Sequence, residues 1–178
     1  MIMKLSSKTI MASTIGFLAM ASCSQANDGE IVEKPDLKVV DGKFTPEILE
    51  GLGRVSGISV SPEGDKLLYG VSYENIALNK SNRELWIMNA DGSNPTRLTT
   101  TASSEQNETF ICGGKKIAFI AREGDKMQLF TMDADGSNRK CISAVENGVN
   151  GFVISPDETK IAFISNVKYG ETTADKYP

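Results

Sequence analysis

Leu85-Trp86-Ile87-Met88-Asn89-Ala90-Asp91-Gly92-Ser93-Asn94 returns forty-four residues later as Leu129-Phe130-Thr131-Met132-Asp133-Ala134-Asp135-Gly136-Ser137-Asn138, with seven of ten residues unchanged. A second motif precedes each copy. Ser61-Pro62-Glu63-Gly64-Asp65-Lys66-Leu67-Leu68-Tyr69 is followed by Ile111 to Phe119 (ICGGKKIAF) and then by Ser155-Pro156-Asp157-Glu158-Thr159-Lys160-Ile161-Ala162-Phe163. The lysines at 116 and 160 keep the same spacing, and Lys66 precedes Lys116 by fifty. A repeat of that length, built from short strands, means that each copy is one supersecondary unit buried against its neighbours.

Reading one copy gives its content. A strand over Gly57 to Ser61 enters a turn of Pro, acid and Gly, and a second strand covers Lys66 to Val71. A third covers Leu85 to Met88, an Ala-Asp-Gly-Ser turn follows, and a fourth covers Thr96 to Thr99. Gly after Asp in that turn accepts positive φ without steric cost, and the Asp side chain caps nearby N–H groups. Runs such as Ile117-Ala118-Phe119-Ile120 and Leu85-Trp86-Ile87-Met88 are apolar at every position, as a sheet covered on both faces requires. A sheet with one wet face would alternate. The fold class is therefore all-β: a β-propeller of four-stranded antiparallel blades, with about two and a half blades over residues 44–178 and an incomplete ring. The last strand of blade three is expected to be an unpaired edge, which invites association. Trp86 and Phe130 hold equivalent repeat positions, so both are expected to pack between blades.

The rest of the chain is read around the repeat. Lys4 and Lys8 followed by the apolar run Ile10 to Ser22 make residues 1–22 a cleaved export signal, too short to span a bilayer and expected to contribute no structure. Met20-Ala21-Ser22-Cys23 resembles the site at which bacterial lipoproteins are acylated, which makes Cys23 the lipid-bearing residue and the membrane a partner only through that lipid. Cleavage after Ala19-Met20-Ala21, giving a soluble periplasmic protein, is the alternative. Residues 23–43 are polar and read as a tether, with Leu37 to Val40 as a possible stray strand. Thr45-Pro46-Glu47-Ile48-Leu49-Glu50 reads as a short helix with Thr45 as N-cap and Pro46 at its first position, ended by Gly51 or Gly53.

Chemistry is bounded by what is missing. The net charge is −4, which gives a nucleic-acid backbone nothing to bind. The sequence has no histidine, so neither a Ser-His-Asp nor a Cys-His nucleophile site nor a His-based metal site lies within it. No G-x-S-x-G elbow occurs. Ser137-Asn138-Arg139-Lys140 matches the bare S-x-x-K pattern of Ser-Lys acyltransferases, but in a turn. Asp133 to Ser137 echoes a calcium loop without its spacing or closing Glu. Both read as turn chemistry; no metal or cofactor is expected, and no catalytic residue in this chain.

Blades of this kind resemble TolB-like propellers and the propellers of prolyl oligopeptidase-type serine peptidases. The flanking residues point to the second group. Phe44-Thr45-Pro46-Glu47-Ile48-Leu49, Gly53-Arg54-Val55-Ser56, Asn79-Lys80, Arg83-Glu84-Leu85, the two Asp-Gly-Ser turns, Gly151-Phe152, Lys168-Tyr169-Gly170 and Tyr177-Pro178 resemble, in order, the opening of the bacterial dipeptidyl-peptidase V family. Ile111-Cys112 departs from the Ser-Pro of the other blades at a turn. The resemblance implies an exported serine exopeptidase of dipeptidyl or acylaminoacyl type, with an α/β-hydrolase domain after residue 178 carrying the Ser, Asp and His. Peptides would be its substrates and that C-terminal domain the propeller's partner. A non-enzymatic TolB-like lipoprotein binding an envelope partner is the alternative.

Two expectations come from the blade map. The connections between second and third strands are long in blade one (Ser72 to Arg83) and in blade three (Asn166 onward) and share one rim, so Glu74 and Glu171 are candidates for meeting a substrate amine. Cys112 falls in the turn between first and second strands and Cys141 on a fourth strand. That is three strand spacings, or ~14 Å, whereas a disulfide needs Cα atoms within roughly 7 Å. Alkylation before reduction should therefore label both thiols; a linked Cys112–Cys141 peptide in a non-reducing digest would contradict the map.

Overall fold

The computed structural model describes residues 2–4 and 31–167. The apolar run Ile10 to Ser22, the lipidation candidate Cys23, Glu171 and the closing motifs from Lys168 onward lie outside the described residues. The elements in chain order are β1 (Ile2–Lys4), α1 (Pro46–Gly51), β2 (Arg54–Val60), β3 (Lys66–Asn75), β4 (Lys80–Asn89), β5 (Thr96–Arg97), β6 (Gln106–Ile111), β7 (Lys116–Glu123), β8 (Lys126–Asp133), β9 (Lys140–Cys141), β10 (Gly151–Ile154) and β11 (Lys160–Ile164). They form two four-stranded antiparallel sheets, β2-β3-β4-β5 and β6-β7-β8-β9, and a third of order β1-β11-β10. These are blades one, two and three of an incomplete propeller ring.

The repeat dictates the pairing. Tyr69 stands opposite Trp86 as Phe119 stands opposite Phe130, and the Ala-Asp-Gly-Ser turns fold back so that Ala90 N–H bonds the Asp65 carbonyl and Ala134 N–H the Lys115 carbonyl. Ser61 Oγ donates to Asp65 and accepts from Lys66 N–H; Ser155 Oγ does the same with Asp157 and Lys160, which holds the Asp157 carboxyl down to about 2. Blade two has Ile111 at the serine position and so lacks that arrangement; the next residue, Cys112, donates its N–H to Glu158 of blade three at 2.8 Å.

Blade two is covered on both faces, as its unbroken apolar strands demand. Toward blade one, Phe110, Ile117, Phe119, Ala121, Phe130 and Met132 pack with Leu68 and Leu85. Toward blade three, Ala118, Ile120 and Leu129 pack with Val149, Phe152 and Ile161. Each such Phe, Leu or Ile removed from water contributes roughly 1.5–3 kcal/mol. Phe119 and Phe130 stack with centroids 5.8 Å apart. Trp86 is only half-buried, because blade one's face away from blade two carries no blade and leaves Val55, Ile58 and Val60 exposed.

Three expectations change. The edge of β11 is not unpaired: Ile2, Met3 and Lys4 run antiparallel to it, opposite Ala162, Ile161 and Lys160. An edge strand presents a row of N–H and C=O groups that any extended segment can satisfy, and in the full chain residues 2–4 do so. Residues 31–43 do not hang as a tether. Val32 is buried, Glu33 pairs with Arg97 on β5 at 3.1 Å, and Leu37 lies against Gly51 of α1; no strand forms at Leu37 to Val40. Finally, the long connection Ser72 to Arg83 is mostly strand, since β3 and β4 pair through to Asn75 opposite Lys80 and leave only residues 76–79 as turn. Polar side chains hid this pairing, which the backbone alone satisfies on a solvated rim.

The helix starts as expected, with Thr45 Oγ1 capping Ile48 N–H and Pro46 at its first position, but its C-cap is Leu52, and Gly51 is its last residue. Cys112 and Cys141 sit on a turn and a fourth strand as free thiols. The first strands β2 and β6 each bulge, at residues with positive φ, Gly57 (63°) and Asn107 (59°). At Gly57 a Cβ would collide with Glu108 and lie 2.5 Å from Arg83 Nη2; at Gly64 (φ 73°) it would meet open space. Gly64→Ala should thus show only the backbone cost, about 1 kcal/mol, and Gly57→Ala about 1–3 kcal/mol more, by equilibrium denaturation. Equal losses would show that the space beside Gly57 is not constrained.

Candidate functional site

Two places carry charged chemistry: the rim bearing the turns between second and third strands, and the joint between blades one and two. On the rim, β3 and β4 pair over ten residues each and β7 and β8 over eight, with a four-residue turn in the first hairpin against Gly124-Asp125 in the second. The blade-one hairpin therefore projects about 7 Å past its neighbour before its turn is counted. Glu74 stands near its tip, opposite Ser81, and is ion-paired with Arg54 at 2.6 Å, both side chains being about half exposed. The sequence placed Glu74 in a loop; it is on a strand and already holds a cation. Its partner candidate Glu171 lies outside the described residues, so the structure does not bring the two together. The first strands meet across the joints, β6 touching β2, and a groove of about 380 Å³ opens between β6 and β10, lined among others by Asn107, Phe110, Phe152, Pro156 and Glu158. Asn107 Nδ2 spans it by donating to the Phe152 carbonyl at 3.1 Å.

At the joint, the guanidinium of Arg83 places all five of its N–H groups. Nε donates to Ser56 Oγ (2.9 Å), Nη1 to the Glu105 carbonyl (2.6 Å) and Glu108 Oε2 (2.9 Å), and Nη2 to the Ser56 carbonyl (2.8 Å) and Glu108 Oε1 (2.6 Å). The Glu108 side chain is 1% exposed and that of Arg83 14%. The arginine lies flat on blade one because Gly57 and Gly70 leave it room; a Cβ at Gly70 would fall inside the guanidinium. Bidentate pairing of this kind fixes position as well as charge.

Beside this pair lie two more buried acids. Glu84 accepts from Asn82 Nδ2 (2.7 Å), Thr101 N–H (2.9 Å), Thr99 Oγ1 (2.6 Å) and Arg97 (3.2 Å). Glu105, with no exposed surface, faces Thr99 Oγ1, Thr101 Oγ1 and Arg139, the last at 3.5 Å. Arg139 is stacked over Phe130, 4.4 Å from its centroid. The three glutamates are shut from solvent and taken up by these partners, so they hold the joint and do not offer a reacting centre. The S-x-x-K match is likewise a turn: Ser137 Oγ donates to Asp135 at 2.6 Å, and Asp133, held low by Asn138 and Lys116, closes the same turn. Among the described residues no group of acids or cysteines is arranged to hold a metal ion.

The joint is what sequence reasoning missed, although a signal was present. At the repeat spacing, Arg83, Glu105 and Glu108 correspond to Met127, Val149 and Phe152, all in the apolar core between blades two and three. Where the repeat swaps an apolar set for two acids and an arginine, it marks a joint built differently.

No protein-family model matches the chain. Dipeptidyl-peptidase 5 of Porphyromonas gingivalis is 40% identical over 167 residues, which is 94% of this chain and 23% of that protein. The chain thus spans about a quarter of that relative's length, and it resembles the N-terminal part. Among solved structures, an acylaminoacyl peptidase of Pyrococcus horikoshii matches 73% of this chain and 20% of its own, with a TM-score of 0.57 at 14% identity. TolB of Acinetobacter baumannii matches 61% of this chain and 26% of its own, with a TM-score of 0.52 at 21% identity. Both likenesses are of fold, whereas the dipeptidyl-peptidase likeness is one of sequence over 94% of the chain.

The Arg54–Glu74 pair is exposed enough that water screens it, so Arg54→Ala should cost no more than about 1 kcal/mol in a denaturant melt. A loss of several kcal/mol would mean that the projecting hairpin is braced by that pair.

Proposed function

We propose, starting from a chain homologous to the N-terminal portion of a dipeptidyl peptidase, that it is the propeller front of an exported serine exopeptidase of dipeptidyl or acylaminoacyl type. The observation that carries this is the 40% identity along 94% of the chain. The propeller's part is to limit access to short or unfolded peptides, and the nucleophile, its base and the oxyanion donors belong to a following α/β-hydrolase domain. The absence of histidine from the sequence fits that division, and the chain by itself should be inactive. Supporting the rim's involvement, the blade-one hairpin stands above its neighbour, where a second domain would first be met. Glu74 keeps one carboxylate oxygen beyond its bond to Arg54, which suits a peptide amine; Glu171 is the second candidate.

Export is part of the proposal: residues 1–22 as the signal, with Cys23 acylated at the envelope or the mature protein soluble in the periplasm. Removal of residues 1–22 takes β1 with it and frees the β11 edge to pair with later chain.

The full-length protein should release coumarin from dipeptidyl or acylaminoacyl substrates and lose that activity to a serine-directed fluorophosphonate; sparing of substrates with a blocked amino terminus marks the dipeptidyl type, and their cleavage the acylaminoacyl type. Glu74→Gln should raise KM with little change in kcat, the mark of lost binding shared by ground and transition states. No hydrolysis of any dipeptidyl or acylaminoacyl substrate would return the chain to a binding propeller, and an unchanged KM would remove Glu74 from the substrate's path.

A further inference from the structure

We infer that Glu105 is held as a neutral acid inside the joint between blades one and two, sharing a hydrogen-bonded bridge with Glu84 through Thr99, so that the seating of the two blades depends on pH. The hydroxyls around Glu105 have too few hydrogens for two carboxylates. Thr99 Oγ1 accepts Leu85 N–H at 2.9 Å and has a single hydrogen to give. Glu84 Oε2 lies 2.6 Å from it and Glu105 Oε2 2.9 Å. Glu84 is otherwise surrounded by donors (Asn82 Nδ2, Thr101 N–H and Arg97), so it takes the acceptor's part and claims the Thr99 hydrogen.

The second hydroxyl repeats the problem. Thr101 Oγ1 lies 2.6 Å from the Ser103 carbonyl, which can only accept, and 2.8 Å from Glu105 Oε1. With both hydroxyl hydrogens claimed by nearer, obligate acceptors, an ionised Glu105 would face two oxygen atoms and only the 3.5 Å contact to Arg139. A protonated Glu105 donates to Thr99 Oγ1 and completes that hydroxyl's three hydrogen bonds, one given to Glu84 and two accepted from Leu85 N–H and Glu105. The charged groups around it are Glu84 from β4, Arg139 from the turn before β9, and, one step away, Arg97 on Glu84 and Arg83, which binds the Glu105 carbonyl and Glu108. Arg139 is drawn off onto Phe130 and Phe119. Burial foremost, and then the Glu84 charge, push the Glu105 carboxyl up from 4.5 to about 7, against the pull of Thr101, Thr99 and Arg139.

The repeat supplies internal controls. Gln128 stands at the position of Glu84 and makes the neutral form of the same bridge: Leu129 N–H to Ser143 Oγ, and Ser143 Oγ to Gln128 Oε1. Val149 stands at the position of Glu105, and its N–H bonds the Met127 carbonyl as the Glu105 N–H bonds the Arg83 carbonyl. The fold thus accepts a neutral amide at the first position and a side chain with no proton at the second.

The sign follows from linkage. The folded-state carboxyl is raised above its unfolded value, so between 4.5 and about 7 the folded state binds more protons and stability falls as pH rises; below that window the two states match, and above it the loss is complete. An infrared titration of the full chain should show a protonated-carboxyl band near pH 6 that disappears with a midpoint near 7 and is absent in Glu105→Gln. Melting temperature should fall across the window in the wild type and lose that component in Glu105→Gln. Glu84→Gln should move the infrared midpoint down by a unit or more, which keeps the proposal testable even if the Glu105 variant does not fold. Absence of the band near pH 6, a midpoint in the ordinary carboxylate range, or an unmoved midpoint in Glu84→Gln would each overturn it.

Discussion

The blade-one to blade-two joint turns on a single arginine. Arg83 spends all five donors on Ser56, Glu105 and Glu108, and it can do so only because Gly57 and Gly70 carry no side chain beneath it. Removing either ion from such a pair strands the other in a dry site at a cost of several kcal/mol, although a well-packed apolar pair of the same volume could stabilise the joint as well. The next joint shows that alternative within the same chain, since Met127 and Phe152 fill the corresponding positions and pack together. What the ionic version adds is direction. Two apolar surfaces can slide by a fraction of a side chain, whereas a bidentate guanidinium–carboxylate pair over two glycines has one seat.

From that seat the remaining geometry follows. With blade two set on blade one, Phe119, Phe130 and Met132 meet Leu68 and Leu85, and Arg139 is carried over the aromatic pair to Glu105. The link between the blades, through Thr99 and Thr101, is then closed over Glu84 and Glu105. The groove between β6 and β10 follows from how these sheets are stacked, and the projecting hairpin of blade one from the two extra residues in each of its strands.

Much of this was legible in the sequence. The spacing of Asp91-Gly92-Ser93 to Asp135-Gly136-Ser137 and of the Ser-Pro turns gave blades, strand order and the free thiols, because turn chemistry and two-sided burial constrain residue type strongly. The Thr45 cap did the same for α1. What escaped notice lacked such a constraint. Ser72 to Asn75 and Lys80 to Asn82 pair through backbone alone on a wet rim, so their side chains carry no alternation, and Glu74 was read as a loop acid. Val32 and Glu33 are anchored by partners far along the chain that no local pattern announces. The joint was hidden by the repeat itself: identity between copies draws the eye, while Arg83, Glu105 and Glu108 are conspicuous only as the places where the copies differ.

A double-mutant cycle on Arg83 and Glu108 tests this most directly. In equilibrium unfolding of the full chain, Arg83→Met and Glu108→Gln should each cost about 3–5 kcal/mol, and the double variant should cost much less than their sum, with a coupling of about 2 kcal/mol or more. Additive losses, with a coupling below about 0.5 kcal/mol, would mean that the two residues are packed side by side without holding the blades together.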